Sequence, residues 1–442
     1  MRKMIFVAIA LAASSAAADP FKAGAVRYVS CEGDDANDGL TLATPWKSLR
    51  RLNSGLPPGG VALLRRGDVF YGQLRVPSGL SQCRPTVIGA YGEGVPPEIS
   101  AYKIAKGDES VWEHVGENLW RIDLADKTAF YGNCSTSDGN VGFLKIDGVI
   151  QGRKAFLSCR KIPAEPWEFV DDHRYLTVWC ATNPASAAKD IRFAPKMDLV
   201  WCGSNVTIQN VLMRGTGAHG VSATNPSHLR MVDCGFAEIG GSHLEQNPRS
   251  GCTRYGNAVQ LWRGASDVCI SNCVFSEVYD VAFTMQGANP PRGWENVQVV
   301  GCVMSNCTQN FEIWTMQCAN GVGYKKCTFE GNVCIGTSRG WGWDVRLDRR
   351  NGVPLLIYKM DTDVCDIAVR GNVFRDFRGA LIGRGRLGML PEGYRIEGNT
   401  VFMSHETPLC SDPSDDPASI ARESIIRRDN SFTVCDKSVP QD

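Results

Sequence analysis

Three acidic side chains offer the clearest route from this sequence to chemistry. Segments 278–283, 309–314 and 342–346 align as strands of successive coils, each with polar residues among apolar ones. In this alignment Asp280, Glu312 and Asp344 project from one face, because residues two apart on a strand point the same way. Carboxyl groups on one face are the groups with which glycosidases protonate and displace a sugar.

The predicted spacing of these acids admits two mechanisms. Glu312 and Asp344, one coil apart in one column, would have Cα atoms about 4.8 Å apart, near the ~5–5.5 Å carboxyl separation of retaining glycosidases. Asp280 and Glu312 would be about 8 Å apart, inside the ~6.5–9.5 Å of inverting enzymes. In both cases we expect Glu312 to be the general acid and Asp280 or Asp344 the base or nucleophile.

Aromatic and polar residues lie close to these acids in the chain. Indole rings beside carboxylates suit sugars, whose apolar faces stack on them. Arg254 could bind a carboxylate or sulfate in bidentate form, or it could pair with Asp280 or Glu312. His219 could be a turn residue or a base. The predicted substrate contacts are Trp314, Arg346, Arg254, Asn257, Gln286, Trp343 and His219.

Two other functions fit the same residues. A polysaccharide lyase would need a neutralised uronate and a base, for which Arg254, Arg346, Lys359 and Tyr358 are available. A glycan-binding or adhesin module would use the groove without cleavage. Glycoside hydrolase, lyase and binding module therefore remain open alternatives.

The elements that must position these residues show a repeat between residues 205 and 402. An apolar pair, a small or amide residue, an apolar residue and a turn recur about every 27 to 40 residues, the period of a solenoid. Stacked coils would bring one residue of each into a column, where amides can hydrogen-bond from coil to coil. The predicted column contains Cys234, Cys273, Cys302, Asn332, Asn372 and Asn399.

A family resemblance accompanies this repeat. Residues 28–49, 66–70 and 89–94 resemble the N-terminus of secreted right-handed parallel β-helix proteins of the pectate-lyase-like superfamily, and residues 254–257, 279–280, 311–314 and 340–343 resemble a bacterial branch of it. The resemblance implies an all-β fold, a right-handed parallel β-helix. It does not imply one reaction, because this fold hosts hydrolases, lyases, epimerases and adhesins.

The chain divides into five predicted regions. Residues 1–18 have the charged start, short apolar run and small-residue cleavage site of a signal peptide, so we expect a periplasmic or extracellular protein without a membrane span. Residues 19–105 form an N-terminal cap and the first coils, residues 106–198 an inserted β-rich subdomain, residues 199–410 the main β-helix and residues 411–442 a tail across its end.

Eighteen cysteines suggest an oxidising compartment. Cys159 with Cys180, and Cys410 with Cys435, are candidate disulfides. The column cysteines are expected to be buried thiols, because parallel Cβ vectors suit the disulfide dihedral angle poorly.

Charge and motif content narrow the partners. Lys and Arg together number 47, as do Asp and Glu, so the net charge is zero and a nucleic-acid partner is not expected. Loop 33–39 could bind calcium or form an Asx-rich turn, although Ala36 occupies a position where calcium loops carry a ligand. No other cofactor is predicted, and the expected partner of a monomeric chain is a polysaccharide.

Overall fold

Parallel strands stacked coil upon coil make up most of the computed structural model, which describes residues 26–132, 139–154, 162–172, 174–244, 253–345, 352–383, 390–404, 407–411 and 417–435. Three sheets, named A, B and C, run along the stack, and their strands pair in parallel. The fold is a right-handed parallel β-helix, which confirms the predicted fold class.

Most coils contribute one strand to each sheet, and the described strands number ten in sheet A, ten in sheet B and eight in sheet C. Sheet A contains Val26–Val29, Val61–Arg65, Thr86–Tyr91, Val206–Gln209, Leu229–Val232, Ala265–Ser271, Trp294–Val300, Tyr324–Glu330, Cys365–Arg370 and Tyr394–Glu397. Sheet B contains Val69–Tyr71, Glu98–Ser100, Leu212–Thr216, Gly235–Ile239, Val274–Val278, Val303–Ser305, Val333–Ile335, Val373–Arg375, Thr400–Met403 and Ser431–Val434. Sheet C contains Leu74–Val76, Val200–Cys202, Val221–Thr224, Val259–Trp262, Val281–Ala288, Gln309–Met316, Leu355–Lys359 and Ile382–Gly383.

Between Lys103 and Pro195 the chain leaves the stack and forms two antiparallel sheets. The first contains Lys103–Ala105, Phe130–Gly132, Val141–Ile146, Val149–Gln151 and Ile191–Pro195, and the second Glu113–Gly116, Leu119–Asp123, Phe169–Asp171 and Tyr175–Trp179. Short helices Glu109–Val111, Lys127–Ala129 and Pro184–Ala187 connect them. This insertion has its own apolar core, which includes Trp112, Phe169 and Phe193.

Apolar residues of like shape stack inside the β-helix. Phe236 and Phe275 lie on successive coils with ring centroids 4.7 Å apart, and Trp294 and Tyr324 stack at 4.9 Å. These spacings match the ~4.8 Å between paired strands. The repeat in the sequence therefore reports contacts between coils, since a coil cannot bury its apolar residues alone.

The amide column predicted from the repeat is present and longer than expected. Asn332 donates its backbone N–H and Nδ2 to Oδ1 of Asn372, at 2.8 and 3.0 Å, and Asn372 donates in the same way to Asn399 at 2.9 and 2.8 Å. Asn399 repeats the pattern toward Asn430. At the other end the N–H of Cys302 donates to Asn332, 2.9 Å away.

The thiol half of this column consists of Cys234, Cys273 and Cys302, which are buried and carry free thiols as predicted. The predicted bridge from Cys410 to Cys435 is wrong, because Cys435 is an exposed free thiol. Cys180 is also a free thiol, and its candidate partner Cys159 lies outside the described residues.

Helices close the ends of the stack. Ser48 accepts the N–H of Arg51 and caps helix Leu49–Gly55, which packs near Trp46 and strand Leu74–Val76. Helix Pro417–Asp429 packs on strand Tyr394–Glu397, and the following strand Ser431–Val434 pairs with Thr400–Met403. No described helix is long and apolar enough to cross a membrane.

Loop 33–39 is an Asx-rich turn in this structure. Oδ1 of Asp34 accepts the N–H of Ala36, and Oδ1 of Asp38 accepts the N–H of Leu40, both at 2.9 Å. Asp35 accepts the N–H groups of Lys47 and Ser48. These carboxylates therefore order the loop in the way that Asx turns do, and the calcium interpretation gains no support from them. Within the described ranges, no three His, Cys, Asp or Glu side chains are grouped to hold a metal ion.

Candidate functional site

A row of polar side chains crosses the outer face of sheet C. Strand pairing aligns Ser222, Gln260, Thr284 and Glu312 on four successive coils, and we call this row the polar column. The residues before them, such as Val259 and Phe283, pack in the core. Because side chains alternate between the two faces of a strand, the polar column points outward.

Glu312 is the carboxyl group of this column, and the fold holds it closely. It is 8% exposed, and its Oε2 accepts a hydrogen bond from Oγ1 of Thr284 at 2.9 Å. Thr284 is fully buried, so its hydroxyl group holds the Oε2 atom of Glu312 in place. On the next coil the apolar Leu356 takes the position of Glu312.

The predicted register of the acids is wrong. Glu312 was expected beside Val259 and Ala282, which lie in the core; it pairs with Thr284 instead. The turns before successive strands differ in length, since Val259 aligns with Phe283 and not with Val281. Asp280 therefore lies four residues before the partner of Glu312, at the bend that precedes the strand, and an extended chain of this length would place their Cα atoms about 14 Å apart rather than 8 Å.

Asp344 is not in the column at all, contrary to the prediction. Gly340 and the residues after it turn the chain into the short helix Trp341–Val345, which carries Asp344 and Trp343 away from sheet C. Asp344 is exposed and lines a cavity of about 360 Å³ against Arg153 and Glu168 of the insertion. Arg346, a predicted substrate contact, lies outside the described residues.

A second outward row, beside the polar column, contains the aromatic residues. Trp262, Gln286 and Trp314 align on three successive coils. The two indole rings stack with centroids 5.8 Å apart and planes 29° apart. Gln286 donates from Nε2 to Oε1 of Gln260 and so joins the two rows. The structure thus places the predicted contacts Trp314 and Gln286 beside Glu312.

A ladder of side chains leads to the same surface from the turns that precede the strands. Asp198 accepts the N–H of His219 at 3.1 Å, His219 Nδ1 accepts the N–H of Asn257 at 3.0 Å, and Asn257 Oδ1 accepts the N–H of Val281 at 3.2 Å. Each side chain satisfies a backbone donor of the next coil. Asn257 also donates from Nδ2 to Gln260 at 3.2 Å, which connects this ladder to the polar column.

The ladder determines the form of His219. Burial lowers the pKa of its imidazole, against the opposing charges of Asp198 and Asp280. Because Nδ1 accepts an N–H, the proton of the neutral ring is on Nε2. His219 is thereby held as a hydrogen-bond donor, and this form does not suit the role of a general base.

Arg254 is a predicted substrate contact, but it does not reach the groove. It is 3% exposed, and its guanidinium donates to the carbonyl oxygens of Gly241 at 2.6 Å and Gly142 at 2.9 Å. The same group lies over the ring of Tyr279, 4.5 Å from its centroid. Arg254 therefore joins the insertion to the coils, because buried carbonyl oxygens require donors.

Sequence reasoning missed Thr284, Asp198 and Trp201 as parts of this surface. Thr284 became visible only with the true strand register. Asp198 and Trp201 come directly after the insertion, where no repeat precedes them to set a column. Their spacing of three residues does allow the observed bond from Trp201 Nε1 to Asp198 Oδ2, at 2.8 Å.

Comparisons with known proteins concern the fold. No protein-family model and no curated protein matches this chain. Among solved structures, one described as XylC with xylose has a TM-score of 0.48 and 9% identity, covering 87% of this chain and 69% of its own. A rhamnogalacturonan lyase has a TM-score of 0.45 and 11% identity over 93% and 87%. The lacto-N-biosidase of Eubacterium ramulus has a TM-score of 0.39 and 14% identity over 93% and 68%.

Proposed function

We propose that this chain is a carbohydrate-active enzyme that cleaves glycosidic bonds of a glycan lying across the outer face of sheet C. One observation carries the proposal: a nearly buried carboxyl group, Glu312, stands in a row of polar side chains beside the stacked rings of Trp262 and Trp314. Stacked rings bind the apolar faces of sugars, amides bind hydroxyls, and a carboxylic acid protonates the leaving oxygen.

Glu312 is the general acid in this proposal, with Thr284 as the residue that orients it. Asp280, on the preceding coil, is the second carboxyl group. If the chain from Asp280 to Thr284 is extended, the Cα atoms of the two acids are about 14 Å apart, which is closer to the wide ~6.5–9.5 Å carboxyl separation of an inverting pair than to the ~5–5.5 Å of a retaining one. This separation favours inversion over the retention that a Glu312–Asp344 pair would have required.

The test is the substitution Glu312→Gln, which keeps size and polarity but removes the acid. We expect the rate of formation of reducing ends to fall by about 10²–10⁴-fold, with the thermal midpoint nearly unchanged. Glu295→Gln is the matched control, because Glu295 is exposed on sheet A. Activity retained in Glu312→Gln would remove Glu312 from the mechanism.

A lyase is the second candidate, and the position of Lys359 favours it. Lys359 pairs with Trp314 on the next coil, so a cation lies beside the aromatic row and could neutralise a uronate. Unsaturated products absorbing in the ultraviolet would identify β-elimination. Glycan binding without reducing ends or unsaturated products would instead identify a binding module.

A further inference from the structure

A cavity of about 310 Å³ lies at the N-terminal end of the outer face of sheet C, away from Glu312. It is formed where the chain returns from the insertion to the coils. The side chains that matter in its wall are Gln73, Arg75, Lys196, Asp198, Trp201 and Tyr255.

The wall of this cavity offers positive charge. Arg75 and Lys196 form no ion pair within 4.0 Å among the described residues. Lys196 donates to the carbonyl oxygen of Leu244 at 3.1 Å, and Arg75 donates to Gln73 at 2.9 Å. Among the described residues, no carboxylate therefore pairs with either cation. Among the described lining residues the carboxylate is that of Asp198, which accepts hydrogen bonds from the His219 N–H and from Trp201 Nε1.

Trp201 gives the cavity a fixed aromatic surface. Its side chain is 44% exposed, while its Nε1 is held by Asp198 at 2.8 Å. The guanidinium of Arg75 lies 4.7 Å from the centroid of the ring. A rigid ring flanked by a cation fits a sugar that presents an apolar face and an anionic substituent, because Arg binds carboxylate and sulfate groups with paired donors.

The cavity is aligned with the proposed site. Trp201 pairs with Ser222, the first residue of the polar column, and four strand-to-strand steps lead from Trp201 to Glu312. At ~4.8 Å a step this distance is about 19 Å. A glycan that occupies both places therefore spans several sugar residues along one straight row.

We infer that the cavity at Arg75, Lys196 and Trp201 is a binding subsite for a negatively charged sugar residue of the glycan, several residues from the bond that is cleaved. This inference rests on the proposed function, which defines the glycosidic bond that is cleaved and hence where this subsite lies relative to that bond. The charge recognition itself is a property of binding and does not depend on which group is the acid.

Binding by the Glu312→Gln variant tests the inference without turnover. The probes are oligosaccharides of at least six residues from galacturonan, glucuronoxylan, alginate and a sulfated galactan, each beside its carboxyl-reduced or desulfated counterpart. We expect at least one acidic member to bind tenfold or more tightly than its neutral counterpart. Raising the salt concentration should reduce this ratio, because exposed charges are screened.

Arg75→Gln and Lys196→Gln should each lower the ratio of acidic to neutral affinity at least threefold, and the double variant should bring it close to one. Arg230→Gln, an exposed arginine on sheet A, should leave it unchanged. Equal binding of every matched pair, a ratio that survives both substitutions, or no binding to any probe would overturn the inference. Activity that persists in Glu312→Gln would instead overturn the proposed function alone.

Discussion

Two columns of this β-helix follow the same geometry and differ in composition. Inside, Asn332, Asn372 and Asn399 occupy one position on successive coils, and each amide bonds to the next. On the outer face of sheet C the residue changes at every coil, from Gln260 to Thr284 to Glu312. Identical residues form the same hydrogen bonds to the backbone of each neighbouring coil. The residues of the outer row differ from coil to coil, so their identities are not set by such a repeated contact. In a repeat protein, the place where repetition stops is where a ligand is expected.

The largest predicted effect is the loss of folding stability when the inner column is interrupted. Asn372→Ala leaves the backbone N–H and Nδ2 of Asn332 without their acceptor and the carbonyl oxygen of Phe329 without the Nδ2 donor. Each buried orphan costs about 1–3 kcal/mol, so we expect the free energy of unfolding to fall by about 3–5 kcal/mol in denaturant titration. A loss below about 1 kcal/mol would show that the ladder does not hold the coils.

The second effect concerns the junction between insertion and coils, where an ionisable group is buried. Burial first, and then the charges of Lys154, Arg254 and Lys196, lower the pKa of His243 to about 2. The unfolded imidazole takes up a proton below about pH 6.5, but the folded one stays neutral until about pH 2. Stability should therefore fall as the pH drops below 6.5, by at most about 1.4 kcal/mol per pH unit.

His243→Gln should flatten this fall when the thermal midpoint is recorded from pH 7 to pH 4. The control is His114→Gln, since His114 is exposed on the insertion. If the thermal midpoint of His243→Gln falls as steeply with decreasing pH as that of the unchanged protein, groups other than His243 cause the acid sensitivity.

A smaller effect distinguishes the two halves of the inner column. Cys273 is fully buried, and its thiol donates weakly to the carbonyl oxygen of Ser271 at 3.3 Å. Cys273→Ala removes one atom and a weak donor, so we expect a loss of about 1–2 kcal/mol in the same titration. A loss as large as that of Asn372→Ala would contradict a special role for amide bonding.

The smallest effect on stability belongs to the outer column. Thr284→Val keeps the shape of the side chain and removes its hydrogen bond to Glu312. We expect the free energy of unfolding to change by less than about 1.5 kcal/mol, and kcat to fall about tenfold with little change in KM. Unchanged kcat would show that Thr284 does not orient the acid, and Thr284→Ser should restore most of the rate.

The same contrast explains what could be predicted from the sequence. The inner column could be predicted because Asn332, Asn372 and Asn399 stand in one motif, with a glycine directly before each amide and an apolar residue three positions before it. The outer column could not be predicted, because the alignment of neighbouring strands in sheet C depends on preceding turns of unequal length. Asp344 shows the limit most clearly: its segment resembles a strand, but it forms a short helix that Gly340 and Gly342 allow to lie directly against Asn306 and Thr308.

The insertion adds a second limit. His219 and Asn257 were recognisable as polar residues at turns, and their contacts follow from the ladder. Arg254 resembled an anion-binding residue, but two of its partners are the carbonyl oxygens of Gly142 and Val345, which are 112 and 91 residues away in the chain. No local pattern reveals such partners, since the insertion and the coils meet only in the folded molecule.

The amide column ends on Asn430, which follows the last helix and is separated from Asn399 by thirty-one residues. Because the polypeptide is synthesised from its N-terminus, the coils are made before Asn430, the last residue of the amide column described here. The Oδ1 and Nδ2 atoms of Asn430 then bond to Asn399 and Ile396. Proteolysis just before this helix should accordingly loosen the C-terminal coils first, and protection of the Asn399 N–H from hydrogen exchange would report that Asn430 has docked.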